Sequence, residues 1–214
     1  MWCIVVALMC FAGEGAVMAK KRSLREYHKK RDFAVSPEPK GKVTSKRKSP
    51  IFVIQKHDAT SLHYDVRLEI DGVLVSWAVP KGPSLNPAIK HLAVMTEDHP
   101  MDYADFEGVI PKGEYGAGPV MVWDTGTYTN IKTKNGKLVP MHECLKQGHI
   151  EVFLEGSKIN GAFSLVRTHY QDNPKNWLLI KMKDEFSSAK KNPVNTQNKS
   201  VLTGRSMAQI KKAG

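Results

Sequence analysis

From Ile51 onward, apolar and polar positions alternate in short runs: IFVIQKH, LHYDVRLEI, VLVSWAV, HLAVMTEDH, PVMVWDTGTYTNI, HIEVFLEG, GAFSLVRT and NWLLIKM. Successive side chains of a β-strand point to opposite faces, so a period of two marks a strand with two chemically distinct faces. The runs predict about eight strands, separated by turn signals such as Asp71-Gly72, Lys81-Gly82-Pro83, Lys112-Gly113 and Asn135-Gly136. The aspartate-glycine pair predicts that LHYDVRLEI and VLVSWAV form a hairpin. Short strands with little helix between them imply an all-β fold, a small closed or nearly closed β-barrel over residues 49–185.

The flanks lose this alternation. Residues 18–48 are dense in Lys and Arg, carry Pro37 and Pro39, and read as a basic amino-terminal arm with a short helix over SLREYHKKRDF. Residues 186–214 shift to Ser, Asn, Gln and Lys and read as a polar flexible tail, with SMAQIKKA as a short terminal helix. The apolar stretch MWCIVVALMCFAGEGAV at residues 1–17 has no Lys or Arg ahead of its apolar run and is too short to span a bilayer. It reads as an over-extended start, with the functional chain beginning at Met18, rather than as a secretion signal.

Composition adds a partner and a compartment. A chain of 214 residues, 41% hydrophobic, suits one domain with tails. Its 32 Lys and Arg against 21 Asp and Glu give a formal net charge of +11, which points to a polyanionic partner without choosing among DNA, RNA and an anionic membrane. Without the leader, Cys144 is the remaining cysteine, which excludes an internal disulfide and fits a reducing cytoplasm.

The candidate chemistry lies on the second run. In SLHYDVRLEIDGVL, His63, Asp65 and Arg67 share one face, while Leu62, Tyr64, Val66, Leu68 and Ile70 share the other. Burying the polar face without partners would cost several kcal/mol, so it is expected to meet water, a ligand or a metal. Gln55 and His57 share a face of the preceding run, and Glu97 and His99 stand two apart in the run AVMTEDH. Two imidazoles and a carboxylate form a recurrent facial metal set, which makes His57, His63 and Asp65 the natural ligands and suits Mn²⁺ without excluding Zn²⁺ or Fe²⁺. Arg67, one pleat beyond Asp65, can hold a phosphate beside the ion, implying phosphoryl chemistry. For His99, spacing leaves open a general acid, a transition-state donor or a structural histidine. The glycine-rich GEYGAGP at residues 113–119 lacks the Walker ending and reads as a turn, the tryptophans outside the leader read as core, and His142, His149 and His169 read as surface residues. Cys144 has no base beside it in sequence and is not read as a nucleophile.

Taken together, FVIQKHDATSLHYDVRLEIDGVLVSWAVPKGPSLNP and LAVMTEDHPMDYADFEGVIPKGEYGAGPVMVWDTGTY resemble the 3′-phosphoesterase domain of bacterial DNA ligase D and its free-standing relatives. The resemblance extends outward to YHKKRDFAVSPEP and SVLTGRSM. It implies a small β-barrel with Mn²⁺-dependent activity that removes a 3′-terminal ribonucleoside from a primer-template, then the remaining 3′-phosphate, to leave a 3′-hydroxyl in DNA break repair by end joining. It further implies His57, His63 and Asp65 as metal ligands, His99, Arg67 and Tyr103 as catalytic, and Gln55, Glu97, Lys81, Arg31, Asp32 and Glu38 as substrate-binding. Where the family carries lysine-arginine this chain has Lys90-His91, which is expected to weaken a phosphate contact. No lysine-x-aspartate-glycine ligase motif occurs, so a separate ATP-dependent DNA ligase and an end-binding protein are the expected partners, in the cytoplasm at the nucleoid. Two other classes compete: a cupin-like Fe²⁺ oxygenase, for which Arg67 would have no role, and a non-catalytic nucleic-acid-binding barrel, against which the intact His, Asp and Arg set argues.

Overall fold

The computed structural model describes residues 22–44, 48–168 and 170–214; the expectations for residues 1–17, the start at Met18 and His169 lie outside them. The chain runs through α1 (Arg25–Lys29), β1 (Ile51–Asp58), β2 (Leu62–Ile70), β3 (Val73–Val79), β4 (Lys90–Met95), β5 (Gly108–Ile110), β6 (Gly118–Asn130), β7 (Thr133–Lys134), β8 (Lys137–Leu138), α2 (Met141–Gln147), β9 (His149–Gly156), β10 (Asn160–Arg167), β11 (Asn176–Lys181), α3 (Pro193–Thr196) and α4 (Met207–Ala213). The antiparallel sheet is ordered β1-β2-β3-β4-β11-β10-β9-β6, and β6 pairs back with β1 to close an eight-stranded barrel; β5 hangs on β6. Each barrel strand corresponds to one of the alternating runs. The β2–β3 turn has both central residues at positive φ, Asp71 at 51° and Gly72 at 80°, the hairpin geometry that aspartate-glycine favours. Asn135 (52°) and Gly136 (74°) repeat it between β7 and β8, a small hairpin off the barrel.

One side of the pleat fills the barrel. Phe52, Ile54, Val66, Leu68 and Trp77 pair in register on a single face and are at most 3% exposed. Trp77 meets Trp177 at 5.5 Å between ring centroids, and Phe163 and Leu165 continue the same packing. An eight-stranded barrel has an interior just wide enough for side chains, so the polar residues of β1–β3 point outward.

That outer face is roofed rather than solvated. The arm docks on it through Leu24 and Tyr27, which are buried, and Thr44 bonds to Gly72. The 3-10 helix Met101–Asp105 covers the rest, with Met101, Tyr103 and Ala104 buried. At the Arg67 end of the His-Asp-Arg face, expected to meet water, a ligand or a metal, protein groups supply the partners. A second difference concerns residues 186–214, read as a flexible tail: they lie along the barrel. Trp123 Nε1 donates to Gln197 O, Val201 N to Val122 O, and Arg205 pairs with Glu107 at 2.9 Å. Helix α4, capped by Ser206 and Gln209, buries Ile210 to 1% exposure. Among the described residues no helix is long and apolar enough to cross a membrane.

Candidate active site

Antiparallel register assembles the metal group. β1 and β2 set His57 opposite His63 and Gln55 opposite Asp65, so four polar side chains converge at one end of the outer face. The free nitrogens of both imidazoles turn toward Asp65: His57 Nδ1 lies 3.7 Å from Oδ2 and His63 Nε2 3.6 Å from Oδ1. Their other nitrogens are held by backbone carbonyls, His57 Nε2 at 2.8 Å from Gly116 O and His63 Nδ1 at 2.9 Å from Ser61 O. Donation to a carbonyl fixes the tautomer and leaves a lone pair for an ion, the arrangement that metal-binding histidines need. One ligand atom from each residue fits within 4.8 Å, so the donor set suits a divalent transition ion.

Electrostatics keep the Asp65 carboxylate ionised and draw charge onto His63. Burial would raise the Asp65 pKa, but Arg67 foremost, then His57 and His63, outweigh it and hold the carboxyl well below its ordinary value. Burial opposes protonation of His63, yet attraction to Asp65 prevails and lifts its pKa.

Arg67 is 2% exposed and already committed: Nε donates to Gln55 Oε1 (2.7 Å), Nη1 to Ser76 Oγ (2.9 Å) and Nη2 to Asp65 Oδ2 (2.9 Å). Three of its five N–H groups therefore fix Asp65 and the guanidinium plane, leaving one on each Nη. Gln55 is fully buried and outside the cleft; its amide donates to Tyr103 O and Phe106 O and its Oε1 orients Arg67.

His99 does not lie on a strand. β4 ends at Met95, and Glu97 and His99 leave it as a loop that bridges back to Leu74, which corrects the picture of a third strand presenting them. His99 Nδ1 donates to Glu97 O at 2.9 Å and lies 3.4 Å from Ser76 Oγ, while Nε2 accepts from Arg31 Nη2 at 3.2 Å. Burial first, then the charges of Arg67 and Arg31, push its pKa well below the usual histidine value, so the ring is neutral with its lone pair on Nε2.

The arm supplies Arg31, which reaches Glu38 (2.8 Å), Glu97 (3.1 Å) and the Tyr27 carbonyl. Glu38 is 4% exposed and outside the cleft; it accepts from Arg31, from Ser36 Oγ and from Tyr103 OH, each at 2.8 Å. Glu38 thus supports Arg31 and Tyr103 from behind the cleft wall. Tyr103 lines the cleft and stacks beside Arg67 and His99, with its hydroxyl spent on Glu38. Glu97 lines the cleft and pairs with Lys30 as well as Arg31; these partners outweigh burial and lower its pKa.

Two further expected residues, besides Gln55 and Glu38, stay outside the cleft. Asp32 is exposed and its carboxylate accepts from Ala34 N–H in a local turn. Lys81 is exposed in the turn after β3 and borders a separate groove with Lys56 and Leu62. His91 does not line the cleft either: its Nδ1 bonds Gly82 O at 2.5 Å and so secures that turn. Sequence reasoning overlooked Ser76 and Tyr27. Ser76 breaks an apolar run directly opposite Arg67, a readable signal; Tyr27, buried against His99 at 5.1 Å, carries none. Cys144 is buried, and burial pushes its thiol pKa up, in keeping with an inert side chain.

The cleft, about 370 Å³, thus holds an open two-histidine, one-carboxylate group beside two arginines and a neutral histidine. Such a set defines a class: hydrolases that act on phosphate esters. A family model described as the DNA Ligase D 3′-phosphoesterase domain matches residues 55–167. The multifunctional non-homologous end joining protein LigD of Pseudomonas aeruginosa is 49% identical over 169 residues, covering 78% of this chain and 19% of that protein. The multifunctional non-homologous end joining DNA repair protein LigD of Mycobacterium tuberculosis is 46% identical over 165 residues, 76% of this chain and 20% of that protein. The LigD protein of Mycolicibacterium smegmatis is 45% identical over 163 residues, 76% and 21% respectively. The chain belongs to the DNA ligase D 3′-phosphoesterase domain family, and it spans about a fifth of the length of these relatives.

Proposed function

We propose that this chain is a Mn²⁺-dependent phosphoesterase that processes 3′ ends in end-joining DNA repair. It removes a terminal ribonucleoside from a primer-template, leaving a 3′-phosphate, and then hydrolyses that phosphate to a 3′-hydroxyl. The observation that carries the reading is the convergence of His57, His63 and Asp65 in the cleft, with Arg67 bonded to Asp65. Relatives named for non-homologous end joining support the repair setting.

His57, His63 and Asp65 would hold the ion, which when bound polarises the phosphate and neutralises its charge. Arg67 keeps Asp65 ionised and aimed, and its remaining Nη donors together with Arg31 hold the phosphate oxygens as charge builds in the transition state. His99 receives the proton of the attacking group at Nε2 once the phosphate draws Arg31 away, while Nδ1–H on Glu97 O keeps the ring in place. Tyr103 forms the wall against which Arg67 and His99 are fixed. Lys81 meets backbone phosphates beyond the end, and Asp32 shapes the arm turn. DNA or RNA–DNA primer-templates are the substrates, with a separate ATP-dependent ligase and an end-binding protein as partners at the cytoplasmic nucleoid.

The test is incubation of a labelled primer-template ending in one 3′-ribonucleotide with Mn²⁺ or EDTA, beside Asp65→Ala. Stepwise appearance of 3′-phosphate and then 3′-hydroxyl ends, lost in EDTA and in the variant, is the expected result. An intact primer under every divalent ion tried, with the duplex still bound, would overturn the assignment.

A further inference from the structure

The glycine-rich loop at residues 113–119 looks like a plain turn in the sequence, yet it forms one wall of the cleft. Gly116 O accepts from His57 Nε2 at 2.8 Å, which ties the backbone next to Tyr115 to a candidate metal ligand. Tyr115 lines the cleft but leaves 50% of its surface exposed. Its hydroxyl accepts from Lys30 Nζ at 3.2 Å, the same ammonium stands 4.3 Å from the ring centroid, and the Arg31 guanidinium stands 5.8 Å from it. It pairs with no other aromatic ring among the described residues.

A half-exposed ring contributes little to the fold, and Lys30, which lies over the ring and bonds its hydroxyl, fixes its orientation while half of its surface stays exposed. Beside a phosphate-ester site, such a surface matches the flat π-face of a nucleobase, which stacks on aromatic side chains whatever its identity. We propose that Tyr115 is the stacking platform for the terminal base of the 3′ strand, positioning its phosphoester against His57, His63 and Asp65. The inference rests on the 3′-end reading above and adds what that reading lacks, a contact that recognises the nucleoside. Because stacking is indifferent to base identity, the platform accepts any 3′-terminal nucleotide while requiring that a base be present.

The test compares two primer-templates that differ only at the terminal ribonucleotide, one carrying its base and the other abasic, with the wild-type chain, Tyr115→Ala and Tyr115→Phe. Steady-state KM in Mn²⁺ and equilibrium binding by fluorescence anisotropy in EDTA are both read. Loss of one base–ring stack predicts about a tenfold weaker KM and Kd for Tyr115→Ala on the base-bearing end. The abasic end shows no difference between wild type and Tyr115→Ala, and Tyr115→Phe, which keeps the ring, restores wild-type values. Equal affinity of the wild-type chain for both ends, or an equal loss on both ends in Tyr115→Ala, would overturn the platform and leave Tyr115 shaping the loop. If the wild-type chain turns over neither end, the 3′-end reading fails on its own, and the anisotropy arm still decides whether Tyr115 distinguishes a base from its absence.

Discussion

Replacing Glu38 separates support from contact. Oε1 of Glu38 accepts from both Arg31 Nε and Tyr103 OH, while Oε2 accepts from Ser36 Oγ, which can also act as an acceptor. In Glu38→Gln the amide oxygen can therefore take the Oε1 position and the amide nitrogen can donate to Ser36, so all three hydrogen bonds survive and the charge is lost. A charge-assisted bond exceeds a neutral one by about 1–1.5 kcal/mol, which sets the expected cost of this variant. Glu38→Ala removes the acceptor altogether, and Arg31, whose side chain is 4% exposed, then keeps only Glu97 as an anionic partner. Breaking a buried pair from one side costs about 3–5 kcal/mol, or a fall in Tm of about 10 °C for a chain this size. Urea midpoints at neutral pH for the three proteins, with primer-template Kd measured in parallel, check the ordering. Wild-type Kd with graded losses of stability and kcat is expected, because Glu38 lies behind the cleft wall. Unchanged urea midpoints combined with a weakened Kd would refute the reasoning and return Glu38 to the substrate-binding set.

Two further predictions follow from burial. Because His99 is held neutral, with a folded pKa below its unfolded value, its contribution to stability is complete above the ordinary histidine pKa and is lost as pH falls. In EDTA, lowering the pH from 6.5 to 5.5 should cost about 1 kcal/mol through this residue, and His99→Gln should flatten that part of the urea-midpoint profile; parallel profiles would contradict it. Ile210→Ala tests the docked carboxy-terminal segment: truncating a side chain that is 1% exposed should cost about 2–4 kcal/mol by chemical denaturation, whereas a mobile tail would tolerate it within 0.5 kcal/mol.

The parts of this structure that were legible in the chain are those governed by local periodicity. Eight alternating runs became the eight barrel strands because the barrel interior accepts only one face of each, and Asp71-Gly72 became a turn because both residues tolerate positive φ. The convergence of the candidate metal ligands was legible for the same reason: His63 and Asp65 stand two apart on one strand, and a tight antiparallel turn brings His57 opposite His63. What the pattern hid depends on contacts distant in sequence. By composition the arm reads as a basic segment suited to a polyanionic partner, yet Arg31 reaches Glu97 across 66 positions and Tyr27 packs on His99. A run of Lys and Arg looks the same whether its anionic partners lie in DNA or in a loop of the same chain. The polar carboxy-terminal segment misled likewise, since its attachment runs through backbone groups such as Val201 N and Gln197 O that composition does not reveal.

The roof over the outer face also accounts for the chemistry available there. A barrel filled by Trp77, Trp177 and Phe163 takes in charged groups only with partners, as Lys181 with Asp184, and on an open outer face charge interactions would be screened by water. Laying the arm and the 3-10 helix over β1–β3 gives an intermediate solution, with fixed charges in a partly enclosed cleft. In and around it Lys30, Arg31 and Arg67 are matched by Glu97, Glu38 and Asp65, so these charges balance before anything binds. A divalent ion alone adds uncompensated positive charge to this set, and a phosphate alone adds negative charge. Arriving together they restore the balance, and this is the physical reason that a site of this composition favours an ion and a phosphate ester at once over either by itself.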